Sequence, residues 1–444
     1  MTVARTICLG FLVIIAIGTV LLLLPVSTSD GTWNNFVTAL FTATSAVCVT
    51  GLIVVDTGTH YSGLGQFFIL LLIQLGGLGY MTANTFLLLL LGRRLGLRDR
   101  VAIQQSLDTA EMSGVVPLVR SIVAMTLVFE LTGMFLLLFI FTPDFGFNNS
   151  LWLSIFHSIS AFNNAGFSLF ADSLMAYAGS IPMNLVITFL VIFGGIGYQV
   201  IMEMYMWLRD RISRNPERVI FSLHFKIVTS TTLLLLIVGT IAFFFTESPN
   251  PQTLGNVGFL ERLVSAWFQS VITRTAGFNT IDIGQMTTAA LFITIALMFI
   301  GASPGSTGGG IKTTTVRVLA SCTRSVLQGS HQVLCFERTI PPELILKAVA
   351  VVLSSLGVVV VATILLAISD PNIEFIQLFF EVISAFATVG LSMGITGTLS
   401  TLGQLVIIVT MYVGRVGMVM LMSALIGDPK PSNIRYPEEN LLIG

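Results

Sequence analysis

Charge is what this chain has least of. Lys, Arg, Asp and Glu make up 10% of its 444 residues, where a soluble globular domain carries about 25%. With 54% hydrophobic residues and a mean hydropathy of +0.92, the solvent to reason with is lipid. A net charge of −1 offers no basic surface for nucleic acid. Cysteine and histidine are scarce too, with four of each. Cys8, Cys48, Cys322 and Cys335 form no CxxC pair and no metal-ligand spacing with the histidines, so they read as scattered apolar thiols. No nucleophile–base set stands out, and no GxGxxG follows a strand, which sets enzymes and nucleotide-driven subunits aside. Glu130, Glu203 and Glu381 stand apart in the apolar stretches. They make no run of the kind that a proton-coupled solute transporter needs.

What the chain does have is long apolar runs. Eight lie near 5–25, 64–92, 118–142, 181–208, 223–246, 286–326, 343–368 and 401–427, and about 20 apolar residues suffice to cross a bilayer. The first has Arg5 ahead of the stretch from Ile7 to Leu24, longer than a signal-peptide core. Only Pro25-Val26-Ser27 follows in place of a small-x-small cleavage site, so a retained helix is expected. Shorter amphipathic stretches sit between the members of each pair: Trp33 to Thr44, Leu151 to Phe162, Leu260 to Thr273 and Phe375 to Phe386.

Each of these ends at a glycine-centred segment: Cys48-Val49-Thr50-Gly51-Leu52, Asn163-Asn164-Ala165-Gly166-Phe167, Arg274-Thr275-Ala276-Gly277-Phe278 and Ala387-Thr388-Val389-Gly390-Leu391. The Gly-to-Gly intervals are 166 − 51 = 115, 277 − 166 = 111 and 390 − 277 = 113. Such regularity implies four copies of one unit: helix, short re-entrant helix, extended segment, helix. Non-helical backbone at membrane depth is tolerated where it is buried in protein or lines an aqueous cavity. The expected fold is therefore an all-α integral membrane protein. Four helix, re-entrant pore helix, helix (M1-P-M2) repeats stand in pseudo-fourfold arrangement around one pore, with eight transmembrane helices. The repeats span 1–100, 101–215, 216–335 with a broken second helix, and 336–444 with a C-terminal tail.

A dehydrated cation needs oxygens in place of its water, and backbone carbonyls supply them without a full countercharge. Glycine permits backbone angles that turn carbonyls inward and leaves the axis clear. The candidate ion-binding positions are Val49, Thr50 and Gly51; Asn164, Ala165 and Gly166; Thr275, Ala276 and Gly277; and Thr388, Val389 and Gly390. Arg274 would repel cations if it faced the axis, so it is expected to turn away toward an acid such as Glu381. Near copies Gly76-Gly77-Leu78-Gly79-Tyr80 and Gly194-Gly195-Ile196-Gly197-Tyr198, with Gly414-Arg415-Val416-Gly417, recur in the second helices and read as close packing.

The run 286–326 contains Gly301, Ala302, Ser303, Pro304, Gly305, Ser306, Thr307, Gly308, Gly309 and Gly310, then Ile311 and Lys312. Five glycines and a proline break any helix. A polar loop below the third segment reads as a gate. A phosphate loop is excluded because Ile311 separates Gly310 from Lys312. Arg415 lies deep in the last run, where it is expected either to touch the loop near Ser303 to Thr307 or to pair with a buried acid such as Glu130. Basic residues set the orientation. Arg93, Arg94, Arg98, Arg100, Arg209, Arg211, Arg214, Arg218, Arg317 and Arg324 place their loops, and both termini, in the cytoplasm. The other side carries Asp30, Asp56, Asp144, Asp172, Glu247, Glu261, Asp282, Asp370 and Glu374 against Arg262 and Arg274.

The four segments, with Ser160-Ala161-Phe162-Asn163-Asn164-Ala165-Gly166-Phe167, Arg274-Thr275-Ala276-Gly277-Phe278-Asn279 and Ser384-Ala385-Phe386-Ala387-Thr388-Val389-Gly390-Leu391, resemble the Trk/Ktr/HKT superfamily of potassium transporters. The length and the ending Asn433-Ile434-Arg435-Tyr436-Pro437-Glu438 resemble its KtrB-type membrane subunits. The resemblance implies K⁺ uptake across the plasma membrane through a carbonyl filter, with the 301–312 loop as intramembrane gate and Arg415 beside it. It also implies a homodimer with one pore per subunit, seated on a cytosolic KtrA-like ring that binds ATP or ADP. Na⁺ enters as an activator of uptake. Plant relatives with serine at the first segment favour Na⁺, so Gly51 argues for K⁺. A Na⁺-permeable HKT- or Trk-like transporter is the alternative within the superfamily.

Overall fold

Charge-free runs of Leu, Val, Ile and Ala satisfy their backbone groups internally, and here they do so as helices. The structure is a computed structural model and describes residues 3–79, 82, 115–213, 220–330 and 332–427. In chain order come α1 (Val3–Leu23), α2 (Phe36–Cys48), α3 (Gly63–Leu78) and α4 (Val115–Phe162), then α5 (Ile181–Ile196), α6 (Tyr198–Ile212), α7 (Leu223–Glu247) and α8 (Phe259–Ile272). After α9 (Thr288–Phe299) and α10 (Thr313–Leu327), a hairpin pairs β1 (Leu334–Cys335) with β2 (Arg338–Thr339). The chain ends in α11 (Pro342–Ser369), α12 (Phe375–Phe386), α13 (Thr401–Val416) and α14 (Met418–Ile426).

Polar residues start these helices. Asn35, Ser62, Ser222, Thr287 and Ser400 each accept a hydrogen bond from a first-turn amide, at 2.8–3.2 Å, worth about 1 kcal/mol apiece. Two buried acids reinforce this. Glu247 at the end of α7 accepts from the amide and hydroxyl of Thr287, and Asp370 after α11 accepts from those of Ser400. These two acids of the Arg-poor side therefore bind helix starts.

Four helices, α1, α4, α7 and α11, are long and apolar enough to cross a membrane. The runs 181–208 and 401–427, expected as continuous helices, are instead bent pairs: α5 and α6 meet at 105°, α13 and α14 at 94°. Counting each pair as one span brings the described residues to six. The bends fall on Gly197 and Gly417, with φ of 95° and 84°. α4 joins an apolar span and a second arm through Gly146, whose φ of 69° ends the first helix. The run 64–92 is helical to Leu78, and most of its remainder lies outside the described residues, as do Arg93, Arg94, Arg98, Arg100, Arg214, Arg218 and 433–438.

The short helices pack inside the long ones, and the packing closes on itself. α3 meets α4, α5 meets α8, α9 meets α12, and α13 returns to α2. Gly76, Gly194 and Gly414 make this closeness available. A Cβ built on them overlaps the carbonyl oxygens of Val47, Phe162 and Phe386, at the ends of α2, α4 and α12. The packing role expected of the first glycine in each copy is thus correct, while the last glycine breaks the helix.

Candidate ion pathway

The four glycine segments meet. A Cβ placed on Gly51 lies 2.5 Å from the Ala165 carbonyl oxygen, on Gly166 2.8 Å from that of Ala276, and on Gly277 2.6 Å from that of Val389. A Cβ on Gly390 overlaps the carbonyl oxygen of Thr50, which closes the circuit. No residue but glycine leaves this ring intact.

All four segments share one backbone pattern. Val49, Asn164, Thr275 and Thr388 are left-handed, with φ of 57°, 57°, 72° and 51°. The glycines two residues on have φ of 92°, 69°, 74° and 92°, and the residues between them are not left-handed. Alternating the sign of φ reverses every second peptide plane, so that successive carbonyls face one side instead of alternating as in a strand. Three of the left-handed residues are β-branched, an uncommon conformation that clusters at functional sites. The short helices hold the pattern in place. The amides of Thr50, Ala165 and Val389 donate to the carbonyls of Ser45, Ser160 and Ser384 at 2.8 Å. The Ser45 and Ser384 hydroxyls accept from Gly51 and Gly390 at 3.1 Å, and that of Ser160 donates to Phe167 at 2.8 Å. The sequence reading quoted Ser160 and Ser384 within the family motifs without a role and left out Ser45. Lined up on the glycines, the three serines stand six residues before Gly51, Gly166 and Gly390, where the third segment has Val271.

On one side of the ring a vestibule of about 520 Å³ is lined by all four glycines and, among the acids, by Asp172 and Asp282. On the other side, a cavity of about 240 Å³ is lined by Gly305, Ser306, Thr307, Gly308, Lys312 and Arg415. Between the two lies the loop joining α9 to α10. Its neck is closed by Ile300 beside Ile311 and by the Ala302 amide donating to Gly309 at 3.2 Å. Ser303 and Thr313 hydroxyls meet at 3.0 Å, and Ser306 donates to the Ser303 carbonyl at 2.6 Å.

The loop also explains the break at Gly197. Amides of Ser303 and Thr307 donate to the carbonyls of Gly195 and Gly194 at 3.1 and 3.2 Å, and Tyr198 donates to Gly305 at 3.1 Å. The loop thus satisfies the orphan backbone groups of a broken helix. A Cβ on Gly197 would stand 2.6 Å from the Pro304 carbonyl oxygen.

Above it, the loop follows the ring. Thr307 donates through its hydroxyl to the Asn164 side chain at 3.2 Å, in the amide orientation that satisfies both ends of that side chain. A Cβ on Gly308 overlaps the Thr275 hydroxyl, and one on Gly309 overlaps that of Thr388. Gly310 has φ of 69° and lies against Ala387. Arg415 donates to the carbonyls of Thr307 and Gly76, tying the loop to the end of α3, and Lys312 donates to Gly308 at 2.8 Å. Of the two readings of Arg415, the structure gives contact with the loop. Glu130 instead accepts from Asn163 and Gln74, at 3.0 and 3.3 Å.

Arg274 turns away from the vestibule into a crevice with Val191, Gly195 and Leu236. Its expected partner is otherwise engaged: Glu381 accepts from Ser392 and Thr396. The Arg274 Nε has no hydrogen-bond partner among the described residues. The mismatch arises because α12 brings Glu381 to the loop that follows Gly390, not to the crevice beside α8.

A ring of peptide oxygens between two cavities, in a chain of apolar helices, suits the passage of ions, and comparison with known proteins agrees. The TrkH family, described as cation transport protein, matches residues 7–436. The chain belongs to the TrkH family. It is a multi-pass membrane transporter of cations, not an enzyme. This TrkH-family chain is 41% identical over its full length to the Ktr system potassium uptake protein B of Bacillus subtilis, covering 97% of that protein. It is 40% identical to the potassium/sodium uptake protein NtpJ of Enterococcus hirae, covering 99% of this chain and 97% of the other. The crystal structure of TrkH from Vibrio parahaemolyticus superposes with a TM-score of 0.72 over 94% of this chain and 84% of that one, at 20% identity. That likeness speaks for the fold.

Proposed function

We propose that this TrkH-family chain takes up K⁺ as the translocating subunit of a Ktr-like system in the plasma membrane. Its four M1-P-M2 units contribute eight spans around one pore, with both termini in the cytoplasm. The observation that carries the reading is the closed circuit in which each segment glycine abuts a carbonyl of the next segment. Val49, Thr50, Asn164, Ala165, Thr275, Ala276, Thr388 and Val389 supply carbonyls, which coordinate K⁺ weakly enough to release it. The buried hydroxyls of Thr275 and Thr388, without hydrogen-bond partners among the described residues, stand at the foot of the ring. The 301–310 loop closes the passage below them, and Lys312 and Arg415 hold it shut. The cargo follows from the names of the Bacillus and Enterococcus relatives, and the latter brings Na⁺ in as activator or second cargo. A homodimer on a KtrA-like ring carrying ATP or ADP completes the system.

Expression in a bacterium that lacks K⁺ uptake tests this. Growth at low external K⁺ is restored, more fully with a nucleotide-binding partner subunit. Failure of rescue with the protein present in the membrane refutes the cargo.

Arg415 carries a further prediction. Its guanidinium donates to the Thr307 carbonyl of the loop and to the Gly76 carbonyl, which the Gly79 amide also meets at 3.1 Å. A hydrogen bond from a charged group is worth about 1.5–3 kcal/mol, so Arg415→Gln shifts the loop toward release by roughly tenfold or more. Rb⁺ flux into proteoliposomes rises accordingly; flux at or below wild type refutes the latch.

A further inference from the structure

One device recurs behind two of the four segments. His157 stands nine residues before Gly166, and Glu381 nine before Gly390. Ser168 and Ser392 follow the same glycines by two residues. His157 Nε2 lies 3.0 Å from the Ser168 Oγ, and Glu381 Oε2 accepts from the Ser392 Oγ at 2.8 Å. The parallel extends one step further. Each serine oxygen accepts from the amide two residues on, Phe170 or Gly394, at 3.0 Å. That amide occupies the acceptor side of the hydroxyl and leaves its proton for the side chain behind. The Leu153 carbonyl, 2.8 Å from His157 Nδ1, accepts only, so Nδ1 bears the ring proton and Nε2 receives the serine's.

His157 and Glu381 are fully buried, while Ser168 and Ser392 both reach the wall of the vestibule. Glu381 also accepts from Thr396, a second residue of that wall. The other two segments are built differently. Thr42, nine before Gly51, accepts from the Tyr61 hydroxyl at 3.0 Å, and Phe268, nine before Gly277, is a buried hydrocarbon. Ile53 and Asn279 stand at the serine positions there. In the circuit of glycine contacts, Gly166 and Gly390 are each flanked by Gly51 and Gly277, so the two braced segments face one another across the axis.

We infer that His157 and Glu381 are a matched pair of positioning residues that fix opposite walls of the outer mouth through Ser168 and Ser392, and thereby set the affinity with which a K⁺-sized cation enters. The inference rests on the four segments forming the filter. A carbonyl ring selects by holding its oxygens at a set spacing, and flexible walls lower its preference for one cation. Hydroxyls anchored to buried side chains cannot swing with a smaller ion, so the braces oppose collapse of the ring around Na⁺.

The test uses the full chain in the K⁺-uptake-deficient cells. Ser392→Ala and Ser168→Ala each raise the KM for K⁺ about five- to tenfold, the scale of one lost hydrogen bond. The maximal rate stays near wild type, and Na⁺ becomes a stronger competitor. Ser392→Thr, which keeps the hydroxyl, restores the wild-type KM. Glu381→Gln combined with Ser392→Ala is no worse than the stronger single variant, whereas Ser168→Ala and Ser392→Ala multiply. If both serine variants keep the wild-type KM and Na⁺ competition, or if the effects of Glu381→Gln and Ser392→Ala multiply as for independent sites, the inference is overturned. The serine variants decide the matter even where Glu381→Gln does not reach the membrane. Should Gly51→Ser alter selectivity while the serine variants do not, the braces alone fail. Should Gly51→Ser also be silent, it is the filter that fails.

Discussion

Removing residues 302–309 raises K⁺ flux by at least about tenfold, since on the proposed gate reading the bonds of that loop hold the passage shut. Three amides of the loop, and the one Thr307 hydroxyl proton that lies within reach of Phe162, Gly194 and Asn164, bind it to Gly194, Gly195 and the neck. At about 1 kcal/mol each, they and the Arg415 contacts exceed the ~1.4 kcal/mol that a tenfold shift requires. The deletion is sterically mild. A Cβ on Gly301 stands 2.9 Å from the Gly310 Cα, and one on Gly310 stands 3.1 Å from the Gly301 Cα. The ends to be joined already lie side by side, so α9 and α10 need not move far to accept one peptide bond between them. Arg415 retains the Gly76 carbonyl as an acceptor. The measurement is Rb⁺ uptake into proteoliposomes, with size-exclusion elution in detergent to establish that the chain is folded. Flux unchanged or lower in a folded protein refutes the gate.

The repeating glycines were legible because two requirements coincide at them: positive φ and a neighbour's carbonyl within reach of any Cβ. Both select glycine, so spacing alone found Gly51, Gly166, Gly277 and Gly390. The loop was legible for the same reason, since Pro304 and five glycines exclude helix. What escaped the sequence was whatever depends on a distant partner. Gly197 breaks its helix because Gly305 and Pro304, more than a hundred residues on, occupy the gap. Within its own segment it is indistinguishable from the packing glycine Gly194. Val49, Thr275 and Thr388 take left-handed angles that their β-branched side chains resist, so propensity pointed the wrong way. Glu247 and Asp370 stood in the sequence only as two acids of the Arg-poor side, and they bind helix starts, because a buried acid and an exposed one look alike in a sequence. The partner of Glu381 could not be chosen between Arg274 and hydroxyls without the path of α12.

Gly51→Ser weakens discrimination of K⁺ over Na⁺ by more than about tenfold, a loss of ~1.4 kcal/mol. Two effects add. With φ at 92°, any side chain strains the backbone, by about 1–3 kcal/mol. The new Cβ also meets the Ala165 carbonyl oxygen at 2.5 Å, too near for any real contact. Either that carbonyl turns out of the ring or the first segment retreats from it. In both cases one quarter of the oxygens leaves the spacing that suits K⁺, and the serine hydroxyl brings an oxygen that can follow a smaller ion. Gly31→Ser separates the two effects. Gly31 has φ of 66° and nothing within 4 Å of a built Cβ, so it imposes strain without touching a carbonyl. Competition of Na⁺ against Rb⁺ uptake reads the difference: Gly31→Ser keeps the wild-type inhibition constant while Gly51→Ser lowers it. Gly390→Ser, whose Cβ overlaps the Thr50 carbonyl oxygen outright, exceeds both and abolishes uptake if the ring cannot reopen. Equal selectivity in all three variants would mean that the circuit of glycines and carbonyls is packing, and that ions are chosen elsewhere.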